Sequence, residues 1–293
     1  MDTDDIISPA GYQKSTYDMH HDDYDRESAL RRLRTAGSIS ITPELFEKIY
    51  LSPANRVSNN LRSTLGNPTP LALCGFLLSL SPLSNILLGW RKSGDSGAAE
   101  VGVYYFFGGL LMIIGSVLEF ILGNTSPFVV FGSFGAFWLS WAATLTPFYN
   151  ASIAYDPTHP AASATNATFA NSFAFFQLYM GVLCFIYLLC SLRTSICFVL
   201  IFASLVGSFS LMAATYWHLA EGHAKTALTC QHGAGGLLLA VCLLGWYLLA
   251  AQLLACVDFP INLPVGDLSE FIKGASATAA ARPEGVEQKE GMP

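Results

Sequence analysis

The chain has 293 residues, 52% of them hydrophobic and only 12% charged, with a formal net charge of -6. This balance leaves little room for a separate soluble domain and offers no basic field for nucleic acid. The sequence also contains no Gly-rich phosphate loop, Ser/His/Asp order or zinc-protease spacing, which argues against an enzyme and against a resident metal or cofactor.

Much of the negative charge comes from one end, through Asp2, Asp4, Asp5, Asp18, Asp22, Asp23, Asp25 and Glu27. Residues 1–65 are expected to form a cytoplasmic, largely disordered acidic tail. Two short pieces, 27–34 and 42–50, have helical character, the second capped by Thr42 with Pro43 at the first helical position. Met1 is followed by acidic residues rather than a basic and then apolar leader, so the first membrane span is expected to act as its own insertion signal.

Six apolar stretches follow, near residues 71–90, 101–122, 128–149, 172–192, 194–217 and 231–256, and Glu119 is their only carboxylate. Crossing roughly 30 Å of hydrocarbon takes about 20 apolar residues, because each backbone amide must be satisfied inside its own helix. The expected fold is therefore an all-α integral membrane protein with six transmembrane helices per protomer. Residues 66–257 form the transmembrane domain and 258–293 a cytoplasmic C-terminal tail.

Asn67-Pro68-Thr69-Pro70-Leu71 opens the first span. Asn67 suits an N-cap, Pro68 the first helical position, and Pro70 is still within the tolerated first turn. A helix start with free amide donors also favours an anion, so these residues are candidates for the mouth of a solute path as well as for simple capping. Arg31, Arg32, Arg34, Lys48, Arg56 and Arg62 precede the span and put the N-terminus in the cytoplasm; Arg91 and Lys92 run against that rule, in a loop shared with Asp95 and Glu100. The same orientation makes the 150–171 loop extracellular, where it carries two glycosylation sequons, at Asn150 and Asn166. Both termini then lie in the cytoplasm.

Cys74, Cys184, Cys190, Cys197, Cys242 and Cys256 fall within the spans without a Cys-x-x-Cys pair and read as packing residues. His218, His223 and His232 gather near the loop between the last two spans, where solvated or interfacial side chains are the ordinary reading and a metal site the rarer one. Gly108, Gly109, Gly115, Gly181, Ser204, Gly207, Ser208, Gly235 and Gly236 are expected to allow close helix contacts.

Four strings in order across the six spans carry a family resemblance. They are the Asn67–Leu71 box, Phe106-Phe107-Gly108-Gly109 with Leu118-Glu119-Phe120-Ile121-Leu122-Gly123-Asn124-Thr125, Gly132-Ser133-Phe134-Gly135-Ala136-Phe137-Trp138, and the closing Asn262-Leu263-Pro264-Val265-Gly266-Asp267. Over about 67–270 the chain resembles the acetate uptake transporter family, which includes bacterial acetate/succinate permeases. The resemblance implies a protomer with its own solute path, assembled into a homohexamer. It also implies an aromatic and aliphatic constriction at positions matching Phe76, Phe134 and Leu205, which can exclude hydrated ions by dewetting. Phe134 is the leading candidate, with Gly132 and Gly135 leaving space beside it.

Three positions depart from the family pattern. Leu71-Ala72-Leu73 replaces Leu-Gly-Leu, Phe134 stands where an aromatic hydroxyl is common, and Met112 stands where a Gln is frequent. All three make the path more apolar. Glu119 is either a proton carrier on the path or a structural partner of the Asn124-Thr125 turn.

The sequence thus predicts a plasma-membrane transporter for acetate or a similar short monocarboxylate, proton-coupled or channel-like, with membrane lipid as its surroundings. Short carboxylic acids titrate near pH ~4, so at neutral pH they are anions that the bilayer rejects. Ammonia or ammonium export and a non-transporting membrane sensor are the alternatives.

Overall fold

The computed structural model describes residues 65–158, 166–261, 263–266 and 268. The expectations for the N-terminal tail before Leu65, for most of the C-terminal tail, and for Asn262 and Asp267 therefore lie outside the described residues.

Six helices are long and apolar enough to cross a membrane, and no β-strand occurs among the described residues. They are α1 (Thr69–Leu87), α2 (residues 101–121), α3 (Thr125–Leu145), α4 (Ala167–Ser191), α5 (Ile196–Ala220) and α6 (Ala224–Cys256). Two begin earlier than hydropathy suggests. Helix α4 starts at Ala167 and is capped by Asn166, whose Oδ1 accepts from the Thr168 and Phe169 amides at 2.9 and 3.3 Å. The start of α6 contains Lys225, Thr226 and Thr229, whose polarity hides a helix that simply continues past the apolar zone.

Packing runs α4 on α5, α5 on α6, α6 on α1, α1 on α2, and α2 on α3. Lipid tails are as apolar as the side chains, so association depends on close fit and hydrogen bonding rather than water exclusion. Glycines supply that fit. A Cβ on Gly75 would strike the Phe107 carbonyl oxygen of α2, and one on Gly108 would lie 2.8 Å from Ser79 Oγ of α1. Gly115 leaves room for Ala72, whose Cβ would stand 2.7 Å from a Cβ added at 115, so the extra methyl of Leu71-Ala72-Leu73 is absorbed across the interface. Gly236 instead faces open space, and Gly181 sits at an ordinary van der Waals distance from Phe209. Those two do not bring helices together.

Within α2 the stretch Tyr104–Leu111 is π-helical. Such wide turns are rare and often accompany functional sites. Here the stretch brings Gly108 and Gly109 inward and leaves Phe106 largely exposed. Helices α3 and α4 meet mainly through rings, with Trp141 and Phe173 centroids 5.8 Å apart and Phe137 stacked on Phe176 at 5.9 Å.

The chain after α6 is not simply a tail. Gly266, at φ 68, presents its carbonyl to the Ile196 amide at 2.9 Å, and the Leu268 amide donates to the Thr194 carbonyl at 3.0 Å. The Tyr247 hydroxyl donates to the Pro264 carbonyl at 2.6 Å, and Val265 is buried. These bonds hold Gly266 and Leu268 on the turn between α4 and α5 and Pro264 on α6.

Candidate functional site

Helices α1, α3 and α5 bring Phe76, Phe134 and Leu205 onto one apolar cavity. All three side chains are buried, and the Phe76 and Phe134 rings meet edge to face at 6.0 Å. Phe134, Phe137, Trp138 and Trp141 share a stripe at helical spacing on α3 and all line the cavity. The cavity runs from Phe134 toward the C-terminal end of α3, the end at which α4 begins. A second cavity lies between the start of α3, the end of α4 and the start of α5, where Tyr187 and Phe202 line it. The Phe134 ring touches Tyr187 with centroids 6.4 Å apart, and Tyr187 in turn touches Phe202 at 5.6 Å. Phe134 thus lines one cavity and contacts the wall of the other.

The hydroxyl lacking at position 134 has a near neighbour. Ser133 Oγ and Tyr187 Oη are 2.9 Å apart beside the Phe134 ring. Sequence reading missed Tyr187, because one tyrosine in a largely apolar span reads as ordinary packing. Gly132 and Gly135 do not leave space beside Phe134 as expected. They face α2, where a Cβ would meet Ser116 Oγ at 2.8 Å and Ile113 Cδ1 at 2.9 Å respectively. Met112 is buried between helices and does not line the cavity.

At the start of α1 the chain satisfies its own donors. Asn67 Oδ1 accepts from the Thr69 amide at 2.9 Å, and the Leu71 and Ala72 amides both reach the Pro68 carbonyl, at 3.1 and 3.3 Å. Pro68 and Pro70 have no N–H to offer. The free amides expected to greet an anion are therefore spent inside the turn, and capping accounts for Asn67, Pro68 and Pro70. Leu71 points away from the bundle.

Glu119 is fully buried and joins this same turn to the α2–α3 connection. One carboxylate oxygen accepts from the Thr69 hydroxyl at 2.5 Å, and the other from the Asn124 side-chain amide at 2.6 Å. Backbone geometry reinforces the tie, since the Asn124 amide donates to the Glu119 carbonyl at 2.9 Å and Gly123 turns the chain at φ 75. Glu119 lines neither cavity. Thr125 is exposed at the first position of α3 and takes no part in these bonds.

Between α5 and α6, His218, Glu221 and His223 bring their ligand atoms together, with Glu221 Oε2 lying 3.3 Å from His218 Nδ1 and 3.2 Å from His223 Nδ1. Glu221 was missed in the sequence, whereas His232 belongs to a different part of α6. Glu221 and His223 are exposed. Of the cysteines expected to pack, Cys184, Cys197 and Cys242 are buried, while Cys190 and Cys256 lie on the outside of the protomer.

Six spans, close glycine packing and an apolar, solute-sized space within the bundle define an all-helical, multi-pass membrane protein. The chain belongs to the GPR1/FUN34/yaaH family, whose profile matches residues 50–270. Protein alcS of Aspergillus fumigatus is 44% identical over 248 residues, covering 84% of this chain and 91% of that protein. The acetate transporter protein patA of Aspergillus clavatus is 27% identical, over 71% of this chain and 80% of its own length. Among solved structures, that of the bacterial acetate channel SatP matches with a TM-score of 0.55 and 25% identity, covering 69% of this chain and 99% of that one.

Proposed function

We propose that the protein carries acetate, or a similarly short monocarboxylate, across the membrane along a path that narrows at Phe76, Phe134 and Leu205. The observation that supports this most is the convergence of these three side chains on one apolar cavity, with Phe134 also touching the wall of the second. The likeness to an acetate transporter and to an acetate channel supports the choice of solute. A small acid offers its methyl group to the rings, whereas a hydrated ion of similar charge finds no replacement for its water. Uptake of radiolabelled acetate by liposomes holding the purified protein, with and without an imposed pH gradient, tests solute and proton coupling together. Saturable acetate flux is expected; flux of ammonium with none of acetate would overturn the reading. Deleting residues 1–62 should leave the flux in place, since a sensor would instead lose its output.

The reading extends to a plasma-membrane protein with both termini cytoplasmic, on the strength of the basic residues before α1 and the sequons at Asn150 and Asn166. Asn150 lies exposed beyond α3, while Asn166 caps α4 and sits at the very edge of that span. Glycosylation is thus expected at Asn150 in preference to Asn166. Protease added outside intact cells should spare tags at both ends, and digestion of either tag reverses the orientation. A hexamer is part of the same reading, and cross-linking in native membranes measures it.

A further inference from the structure

The turn between α5 and α6 gathers metal-ligating side chains that transport leaves without a task. Gly222 sits in the left-handed region at φ 77, where its amide donates to the Leu219 carbonyl at 3.1 Å and the His223 amide donates to the His218 carbonyl at 2.8 Å. This double closure of a helix end brings the side chains at positions 218 and 223 together, and an apolar pair commonly stands there. Here both are histidines, with ring centroids 6.0 Å apart. Glu221 lies between them in the chain, its Oε2 3.3 Å from His218 Nδ1 and 3.2 Å from His223 Nδ1. The Ala227 amide donates to the His223 carbonyl at 3.0 Å, so the backbone carrying the three groups is tied to both helices.

Hydrogen bonding to the carboxylate is the ordinary account of such a trio, and it explains only one of the two contacts. The His223 contact has hydrogen-bond geometry. His218 Nδ1 is closed to solvent and has no hydrogen-bond partner, although Glu221 Oε2 is 3.3 Å away. A close approach without hydrogen-bond alignment suits two ligands of one ion. Ligand atoms about 2.1 Å from a tetrahedral centre stand roughly 3.4 Å apart, and both separations here, 3.3 and 3.2 Å, are near that value. We propose that His218, Glu221 and His223 form a binding site for a divalent transition-metal ion of the zinc class. Two imidazoles favour zinc, nickel or copper(II), whereas magnesium and calcium prefer ligand sets built from oxygen. Three protein ligands leave a fourth position to water, and the exposed Glu221 and His223 let an ion enter from solvent. The site lies at the end of the bundle where α4 begins, since the Phe175 and Trp217 ring centroids are 5.8 Å apart. In the orientation proposed above, that end faces the outside of the cell.

Calorimetric titration of the full-length protein with Zn2+, after purification without a polyhistidine tag, tests this. One saturable site per chain is expected, undisturbed by excess Mg2+ or Ca2+. His223→Ala and Glu221→Gln change exposed side chains, so both variants should keep the native gel-filtration profile. Each should raise the Kd for Zn2+ about tenfold or more, since even loss of an outer-shell partner costs about that much. Zn2+ should also raise the melting temperature of the native chain, because an ion that binds only the folded state stabilises it, and should do so less in either variant. The adjacent His20 and His21 are a second place where imidazoles occur together in the sequence. Changing both to Gln should leave the affinity as it was. Absence of saturable binding overturns the proposal, and so does native affinity in both His223→Ala and Glu221→Gln. Binding lost on changing His20 and His21 puts the ion in the N-terminal segment and overturns it equally.

Discussion

Exchanging Glu119 for Gln should lower the thermal stability of the protein and leave the pH dependence of uptake as it was. The carboxylate uses one oxygen for the Thr69 hydroxyl and the other for the Asn124 amide. Gln keeps the shape but replaces one acceptor by a donor. If the new amide meets Asn124, two donors oppose each other; if it meets Thr69, that hydroxyl must turn round and lose its own acceptor. Either arrangement leaves a buried polar group badly paired, at about 1–3 kcal/mol. The consequence spreads beyond one bond, because these contacts join the start of α1 to the turn between α2 and α3. Thr69→Val should lower the melting temperature in the same direction, and the double variant should fall short of the sum, since both changes break one network. Detergent-solubilised melting curves read this directly. Unchanged stability together with a lost pH profile would mean that Glu119 handles protons instead.

The contrast between Glu119 and Gln177 shows what a membrane sequence reveals and what it hides. A lone carboxylate in an apolar stretch is conspicuous, so Glu119 was found at once, and the Asn124 turn was already one of its two expected settings. Its second partner, Thr69, is 50 residues away and only packing supplies it. The six spans were equally visible because hydrocarbon thickness dictates their length. The early start of α6 was not, since Lys225 and Thr226 look like loop on any hydropathy scale. Nor was the π-helical stretch, because Tyr104–Leu111 is apolar whichever helix it forms. Phe76 and Leu205 came from the family resemblance, not from any feature of their own surroundings. Trp138 and Trp141 had a usable signal, the helical spacing from Phe134, but in a helix apolar on all sides that spacing equally describes ordinary packing. Gln177 lies in the apolar middle of α4, a polar side chain of the kind that marks a pathway or an interhelical bond.

Replacing Phe134 with Ala should open the path to bulkier acids. The ring fills the space between Phe76 on one side and Tyr187 on the other. Its loss should thin the wall between the two cavities and leave a wider passage. Acetate, propionate and lactate differ by little more than a methylene or a hydroxyl, and a fitted apolar pocket distinguishes such pairs by about tenfold or more. Without the ring most of that discrimination should vanish, so uptake of the larger acids relative to acetate should rise by a comparable factor. Phe134→Tyr makes a different forecast. It keeps the width and adds a hydroxyl next to the Ser133–Tyr187 pair, so the KM for acetate should move while the ranking of acids by size stays. A ring that merely packs predicts neither result, because its removal leaves a cavity, lowers the amount of folded protein and preserves the substrate profile of what survives. Uptake normalised to surface protein across a series of acids separates the two roles. If Phe134→Ala transports acetate and the larger acids in the native ratio, Phe134 is not part of the constriction, and Phe76 and Leu205 lose the contact that links them to it.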